Sequence, residues 1–295
     1  MLTIDPIYLP AEPKKISIDK IVEFLNDTGT KRIDFSSIHS DCLTQYNDGW
    51  KINLPFKDTI EPILKYKMGE NIGKLYKHKN SNSEVNGVWR GISTEDYPSW
   101  KNFIEKYKNI IFLKDNLDLS LALSMNINNQ DERTMIGELE YQAKYKNNQD
   151  AEKELIYICT EWLKELPFYK DSKYICAVPS SNLETKNLPQ RIAELLAEEL
   201  DLVNISAEVS WDSKEESMKD AESTNERIKI LENSGLTIKL PEELKKKDII
   251  LIDDLYMSGA TMQYLGMKLK EEGVKRVYGL CIVKSKSNGK EKQMP

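Results

Sequence analysis

The sequence predicts an α/β protein. A doubly wound parallel sheet is expected over residues 131–295, preceded by a separate N-terminal α/β domain, or hood, over 1–130. Three observations carry this. From Arg133 onward, segments follow the order helix, strand, helix, strand, long loop, strand, helix, strand, as in parallel sheets with crossover helices. Within that half, Ile249-Ile250-Leu251-Ile252 is short, aliphatic and mostly β-branched, as a strand buried on both faces requires. Between the halves, Asn126 to Glu132 is polar and turn-rich, the best boundary in the chain.

In the first half, Pro6, Pro10 and Pro13 mark an extended lead-in. Ile18, Ile21, Val22 and Leu25 recur at helical spacing and predict a helix over 16–25, closed by Asn26 to Gly29. Lys31 to Phe35 reads as a strand. Trp50 to Phe56 and Ile60 to Tyr66 read as a strand or loop followed by a short helix. Lys77 to Asn86 is polar and reads as an exposed loop. Trp100, Phe103, Ile104 and Tyr107 form one apolar stripe and predict a helix over 98–107 that packs into a core. Asn109 to Leu113 is a strand, and Leu117 to Met125 a further apolar element. No recognisable motif appears before residue 130.

In the second half, Met135 to Tyr145 precedes a polar turn. Leu155, Ile156, Cys159, Trp162, Leu163 and Leu166 give an amphipathic helix over 151–166. Tyr174 to Val178 is a strand that ends in Pro179-Ser180-Ser181-Asn182. Leu188 to Leu200, with Pro189 in its first turn, is a helix. Val203 to Val209 reads as a strand. Ser210 to Asn233 is a charged excursion with helix near 224–231. Gly273 is placed to stop the helix that ends at Glu272, and Val277 to Val283 is the last strand. The tail from Ser285 to Pro295 is polar and expected to fray.

The chemistry concentrates where the aliphatic run meets Asp253-Asp254-Leu255-Tyr256-Met257-Ser258-Gly259-Ala260-Thr261. Strand, small polar turn and helix N-terminus together make a phosphate cradle. The amides of the first helical turn point outward, and Gly259 lets the backbone approach an anion. Ser258 and Thr261 add hydroxyls. Asp253 and Asp254 repel a phosphate but suit the hydroxyls of an attached sugar. A ribose 5-phosphate is the ligand expected.

This segment resembles the phosphoribosyl pyrophosphate (PRPP) signature of the type I phosphoribosyltransferases: an aliphatic strand, two acidic residues, two variable residues and a Thr/Ser-rich glycine loop. The resemblance implies that Asp253 and Asp254 hold the ribose 2- and 3-hydroxyls and serve as the catalytic pair. Tyr256, Met257, Ser258, Gly259, Ala260 and Thr261 would then hold the 5-phosphate, although Met257 stands where a Thr is usual. Within the family, residues 139–284 look most like the ComF-type branch. The pieces in question are Tyr141-Gln142-Ala143-Lys144-Tyr145, the strand ending at Pro179, and Ser223-Thr224-Asn225-Glu226-Arg227. The zinc finger typical of ComF proteins is absent. The same resemblance makes Pro179, Ser180, Ser181 and Asn182 the pyrophosphate loop, with Lys186 beyond it. It makes 210–233 a closing loop from which Arg227 or Lys229 reaches the leaving group, with Lys144 a weaker candidate for a phosphate or substrate contact. Mg²⁺ is the implied cofactor, held through PRPP and water and not by direct protein ligands. The reaction implied is pentosyl transfer from PRPP to an unidentified acceptor with release of pyrophosphate. Residues 1–130 would then choose the acceptor, and Trp50, Trp89 and Trp100 offer ring faces for a base, though packing is the simpler account of each.

The composition agrees with such a role without specifying it. The chain has 295 residues, 40% hydrophobic and 31% charged, with a net charge of −6. That balance disfavours generic nucleic-acid binding. No apolar run is long enough to span a bilayer, and no secretory leader is evident. Cys42, Cys159, Cys176 and Cys281 lie far apart with no paired spacing, which fits reduced thiols in a cytoplasmic protein. His39 lies among Ser37, Asp41 and Cys42, but residues adjacent in sequence seldom converge as a triad, so a solvated or capping role is expected. His78 lies in the charged loop. Two other classes stay open: a PRPP-binding regulator without transfer activity, and an accessory protein of DNA uptake or antiphage defence. A homodimer, or a protein partner through the first domain, is a further expectation.

Overall fold

The computed structural model describes residues 12–36, 42–72, 74–77, 87–182, 184–212, 221 and 223–287. His39, His78 and most of the polar loop around the latter lie outside them, as do 213–220 of the charged excursion and the last eight residues of the tail. The chain forms two compact units. One comprises Met1–Pro13 and Thr28–Lys114, the other Lys14–Asp27 and Asp115–Pro295. Thr28–Lys114 is therefore inserted between the two segments of the larger unit, and the first helix, α1 (Ile18–Asn26), belongs to that larger unit. The polar stretch 126–132 lies inside the larger unit, closed on itself by an Ile127–Arg133 bridge.

In the smaller unit, β1 (Arg32–Asp34) will pair with a later strand. β2 (Leu43–Tyr46) and β3 (Gly49–Leu54) form a hairpin about Asn47, whose left-handed backbone (φ 50°) makes the turn. After α2 (Ile60–Met68) come β4 (Tyr76–Lys77) and β5 (Val88–Ile92), which complete a four-stranded antiparallel sheet in the order β2-β3-β5-β4. α3 (Tyr97–Lys106) leads to β6 (Ile111–Leu113), which pairs antiparallel with β1. Phe35, Phe103, Tyr107 and Phe112 cluster edge-on and tilted, so the expected aromatic stripe is core, and Trp100 is buried with it.

The larger unit begins its sheet with β7 (Leu119–Met125), buried at every residue. There follow α4 (Met135–Tyr145), α5 (Gln149–Glu165), β8 (Tyr174–Ala177), α6 (Leu188–Leu200) and β9 (Val203–Asn204). The strand expected over 203–209 is broken. A 3₁₀ turn at Ser206–Glu208 intervenes, and β10 (Val209–Trp211) leaves the main sheet to pair antiparallel with β11 (Leu236–Ile238), across α7 (Thr224–Asn233). Last come β12 (Asp248–Tyr256), α8 (Ala260–Glu271) and β13 (Arg276–Lys284). Gly273, at φ 99°, ends α8 as expected.

Five strands of this unit run parallel in the order β7-β13-β12-β8-β9. From β8 the chain winds one way to β9; from β12 it winds the other way to β13. The crevice at the carboxyl ends of β8 and β12 is therefore the topological switch point, where such sheets take their ligands. One group of helices joins α4 to α5 and α5 to α6. Another joins α1, α7 and α8, with Ile21, Phe24 and Leu25 buried against Ile228, Leu231, Tyr264 and Met267.

Candidate functional site

Two features of the backbone open a cleft at the switch point. β12 pairs with β13 along almost its whole length, to Tyr256 opposite Lys284. β8 stops sooner, at Ala177 opposite Ile252, and the last rung is the Val178 amide donating to the Ile252 carbonyl at 2.9 Å. Beyond it the chain turns away at Pro179, whose carbonyl accepts from the indole of Trp211, while Asn187 Nδ2 donates to the carbonyl of Val178. The strand therefore does not end at the two carboxylates, as the sequence suggested. It continues past them with one edge unpaired by β8.

The resulting cleft has a volume of about 310 Å³. Pro179, Ser180 and Ser181 line its β8 side, and Asp253 through Met262 its floor and α8 side, with Lys144, Asn187 and Arg227 reaching in from three helix ends and faces. Gly259 caps α8 in the left-handed conformation (φ 80°) and has no side chain to offer the helix amides. Ser258 Oγ accepts from the Ala260 amide at 3.3 Å. The loop is fixed from beneath. Tyr256 packs under it, 3% exposed, and its hydroxyl donates to the buried carboxylate of Asp115 at 3.1 Å. Burial pushes the Asp115 carboxyl up from its ordinary value, against the pull of Lys14 and its hydrogen bonds. The Lys284 ammonium, 1% exposed, donates to the Met257 carbonyl at 3.1 Å. Gln263, fully buried, holds the Gly259 carbonyl and the Asn116 side chain.

The acidic pair splits by environment. Asp253 is half-exposed and its Oδ1 accepts the amide of Asp254 at 3.0 Å. Asp254 is 8% exposed and its Oδ2 meets the Lys144 ammonium at 2.7 Å. Glu140, one turn earlier on α4, lies 3.7 Å from the same ammonium. Burial pushes the Glu140 carboxyl up to about 7, with Lys144 opposing and Asp254 adding to the rise. Lys144 is raised as well: burial lowers it, but the charge and hydrogen bond of Asp254, with Tyr145 and Glu140, together hold it above its ordinary value.

Most residues named from the sequence meet at this cleft, and three do not. Asn182 and Lys186 line an adjoining hollow, where Lys186 is drawn to Glu194 at 2.6 Å. Lys229 is exposed, two positions from Arg227 on α7 and so on another face of the helix. The Tyr256 hydroxyl is committed to Asp115, which leaves only its backbone for a ligand. Asn187, Glu140, Asp115 and Lys284 were not anticipated. Asn187 alone left a local trace, as the cap of α6 three residues before Gln190, with which it forms a capping box. All four cysteine thiols are buried, and burial pushes Cys176, beside β12, up to about 12.

No family model and no curated protein matches the chain. Among solved structures it is similar to a hypothetical protein from Neisseria gonorrhoeae with bound ppGpp, at 14% identity and a TM-score of 0.30, over 50% of this chain and 76% of that one. It is similar to a purine phosphoribosyltransferase from Pyrococcus horikoshii at 17% identity and a TM-score of 0.28, over 45% and 71%. It is also similar to the adenine phosphoribosyltransferase of Trypanosoma brucei, in complex with AMP, pyrophosphate and ribose 5-phosphate, at 13% identity and a TM-score of 0.32, over 50% and 69%. Likenesses this distant say nothing of what this chain binds. Among the described residues, no helix is long and apolar enough to cross a membrane, and no group of three or more His, Cys, Asp or Glu side chains is arranged to hold a metal ion.

Proposed function

We propose that the cleft binds PRPP and that the protein transfers its phosphoribosyl group to an acceptor, with release of pyrophosphate. The observation that carries this reading is the N-terminus of α8, whose cap Gly259 has no side chain, set beside Asp253 and Asp254 on the open edge of β12. An anion cradle and a pair of hydroxyl acceptors on one short stretch suit a sugar phosphate. In this reading Ser258 to Thr261 and the backbone of Tyr256 and Met257 take the 5-phosphate. The carboxylates take the 2- and 3-hydroxyls, and Pro179 to Ser181 face the diphosphate, with Arg227 approaching from α7. In transfer, the bond from C1 to the diphosphate oxygen breaks with its electron pair leaving on the diphosphate, a bond from C1 to the acceptor forms, and the acceptor's proton passes to solvent. Two carboxylates beside the ring favour the positive charge that C1 develops.

Mg²⁺ fits this donor set. Asp253 and the Ser180 and Ser181 hydroxyls are oxygen groups suited to the waters of a hydrated ion that arrives with the diphosphate. Bound there, it would neutralise charge on the leaving group. The narrower kinship with ComF-type proteins rests on the resemblance of Tyr141–Tyr145, the strand ending at Pro179 and Ser223–Arg227 alone. Acceptor choice by the smaller unit is part of the same proposal. Trp50, stacked on Tyr97 at 4.1 Å, is the ring to test there, since Trp100 is spent on the core.

Calorimetric titration with PRPP and Mg²⁺ tests the reading. The wild type binds, and the Asp253→Asn/Asp254→Asn variant loses roughly 100-fold or more in affinity, as expected from two charged hydrogen bonds at about 1.5 kcal/mol each. Equal binding by both proteins, or none by the wild type, sinks it. A second reading has its own support. Lys144 already occupies one oxygen of Asp254, and Met257 supplies no hydroxyl to the loop, as befits a PRPP-binding regulator. Pyrophosphate release in an acceptor screen separates transfer from binding alone.

A further inference from the structure

Among the described residues, the side of the cleft formed by Pro179 to Ser181 carries no cation of its own. Pro179 to Asn182 contains no basic residue, and Lys186 turns to Glu194 in a separate hollow. Among the described lining residues, positive charge comes from Arg227 and Lys144. Lys144 is the better placed of the two. It projects from α4 into the cleft, its side chain is 28% exposed, and it is fixed by the 2.7 Å pair with Asp254. An ammonium has three N–H donors, and this pair uses one. Glu140, at 3.7 Å, is too far to take a second as a hydrogen bond. The cleft therefore holds an anchored, charged lysine with donors to spare, next to the carboxylate proposed to hold the sugar.

Resting on the reading of the cleft as a PRPP site, we infer that Lys144 is the specificity-determining residue that tells a sugar bearing a 1-diphosphate from the same sugar phosphate without it. Asp254 orients the ammonium, and the remaining N–H groups donate to diphosphate oxygens. The 5-phosphate is served by α8 and its loop, which Lys144 does not help to build. Removal of the ammonium therefore costs one ligand and spares the other. The neighbourhood keeps the group charged at any physiological pH, since Asp254, Tyr145 and Glu140 together overcome the effect of burial. Arg191, which approaches the end of α4, does not compete for the role: it is held on Glu152 at 2.8 Å and on the Ala143 carbonyl.

The experiment compares the dissociation constants of PRPP with Mg²⁺ and of ribose 5-phosphate in the wild type, Lys144→Met and Lys144→Arg. In Lys144→Met, PRPP weakens roughly 10- to 100-fold, as for loss of a hydrogen bond between charged groups, and ribose 5-phosphate stays within about threefold. Lys144→Arg restores most of the preference. If Lys144→Met does not melt cooperatively, Lys144→Gln, which keeps a donor to Asp254, replaces it in the same comparison. Equal weakening of both ligands assigns Lys144 a purely structural hold on Asp254 and overturns the inference, as does an unchanged preference. A wild type that binds neither ligand overturns the reading of the cleft itself, which is a different failure.

Discussion

Glu140 is 5% exposed, with Lys144 and Asp254 beside it and Arg133 adding its charge from the turn before α4. Its carboxyl is pushed from the ordinary 4.5 to about 7, so between those values the folded protein binds a proton that the unfolded chain has released. Stability contributed by this group is therefore present at low pH and lost as pH rises through 7, by on the order of 2–3 kcal/mol. Glu140→Gln should flatten that part of the profile and raise the urea midpoint at pH 8 relative to the wild type, with little change at pH 5. A parallel shift at both pH values would mean that the carboxyl is already ionised in the folded state. At this scale the sequence told only part of the story. Asp253, Asp254 and the glycine loop are contiguous, so their chemistry is readable without a fold. Glu140, Asp115 and Lys284 owe their roles to groups far along the chain, with 141 residues separating Asp115 from Tyr256.

The elements show the same division between local and distant causes. The aliphatic run of β12 and the periodic helices α5 and α6 declare themselves in their own residues. α4 did not, because its buried positions include Gly137 and Glu140 and leave no continuous apolar stripe. The passage of β12 through its carboxylates was equally hidden, since it depends on rungs to β13 that no local pattern encodes. The junction of β12 and α8 is the most constrained point of the site. A Cβ on Gly259 would lie 2.1 Å from the Tyr256 hydroxyl oxygen, and its φ of 80° disfavours any side chain. Gly259→Ala should cost about 1–3 kcal/mol in urea unfolding and abolish ribose 5-phosphate binding, because the loop must move off Tyr256 to admit the methyl. Unchanged stability together with unchanged binding would show that the loop is not held as described.

At the scale of the molecule, the sequence suggested a boundary at 126–132 because polar, turn-rich stretches usually link domains. Here that stretch is the connection from β7 to α4 inside one unit, and the division falls on either side of Thr28–Lys114. Nothing local could reveal it: α1 reads as a good helix wherever it docks, and only its partners place it with α7 and α8, some 200 residues later. The consequence is that α8, whose N-terminus opens on the cleft, is braced by α1. Phe24 is buried against the layer that contains Tyr264 and Met267 of α8, and Lys270 of the same helix holds Asp118 at 2.6 Å and the Lys14 carbonyl. Phe24→Ala should therefore destabilise the larger unit by about 3–5 kcal/mol, a large share of the 5–15 kcal/mol that holds a typical domain together. A fragment starting at residue 131 loses α1 and all of β7, with their buried Ile21, Leu25, Leu119, Leu121 and Leu123, each worth about 1.5–3 kcal/mol. It should be insoluble or melt without cooperativity in circular dichroism. A fragment 131–295 that melts as sharply as the whole chain would show instead that the C-terminal half stands alone and that α1 merely decorates it.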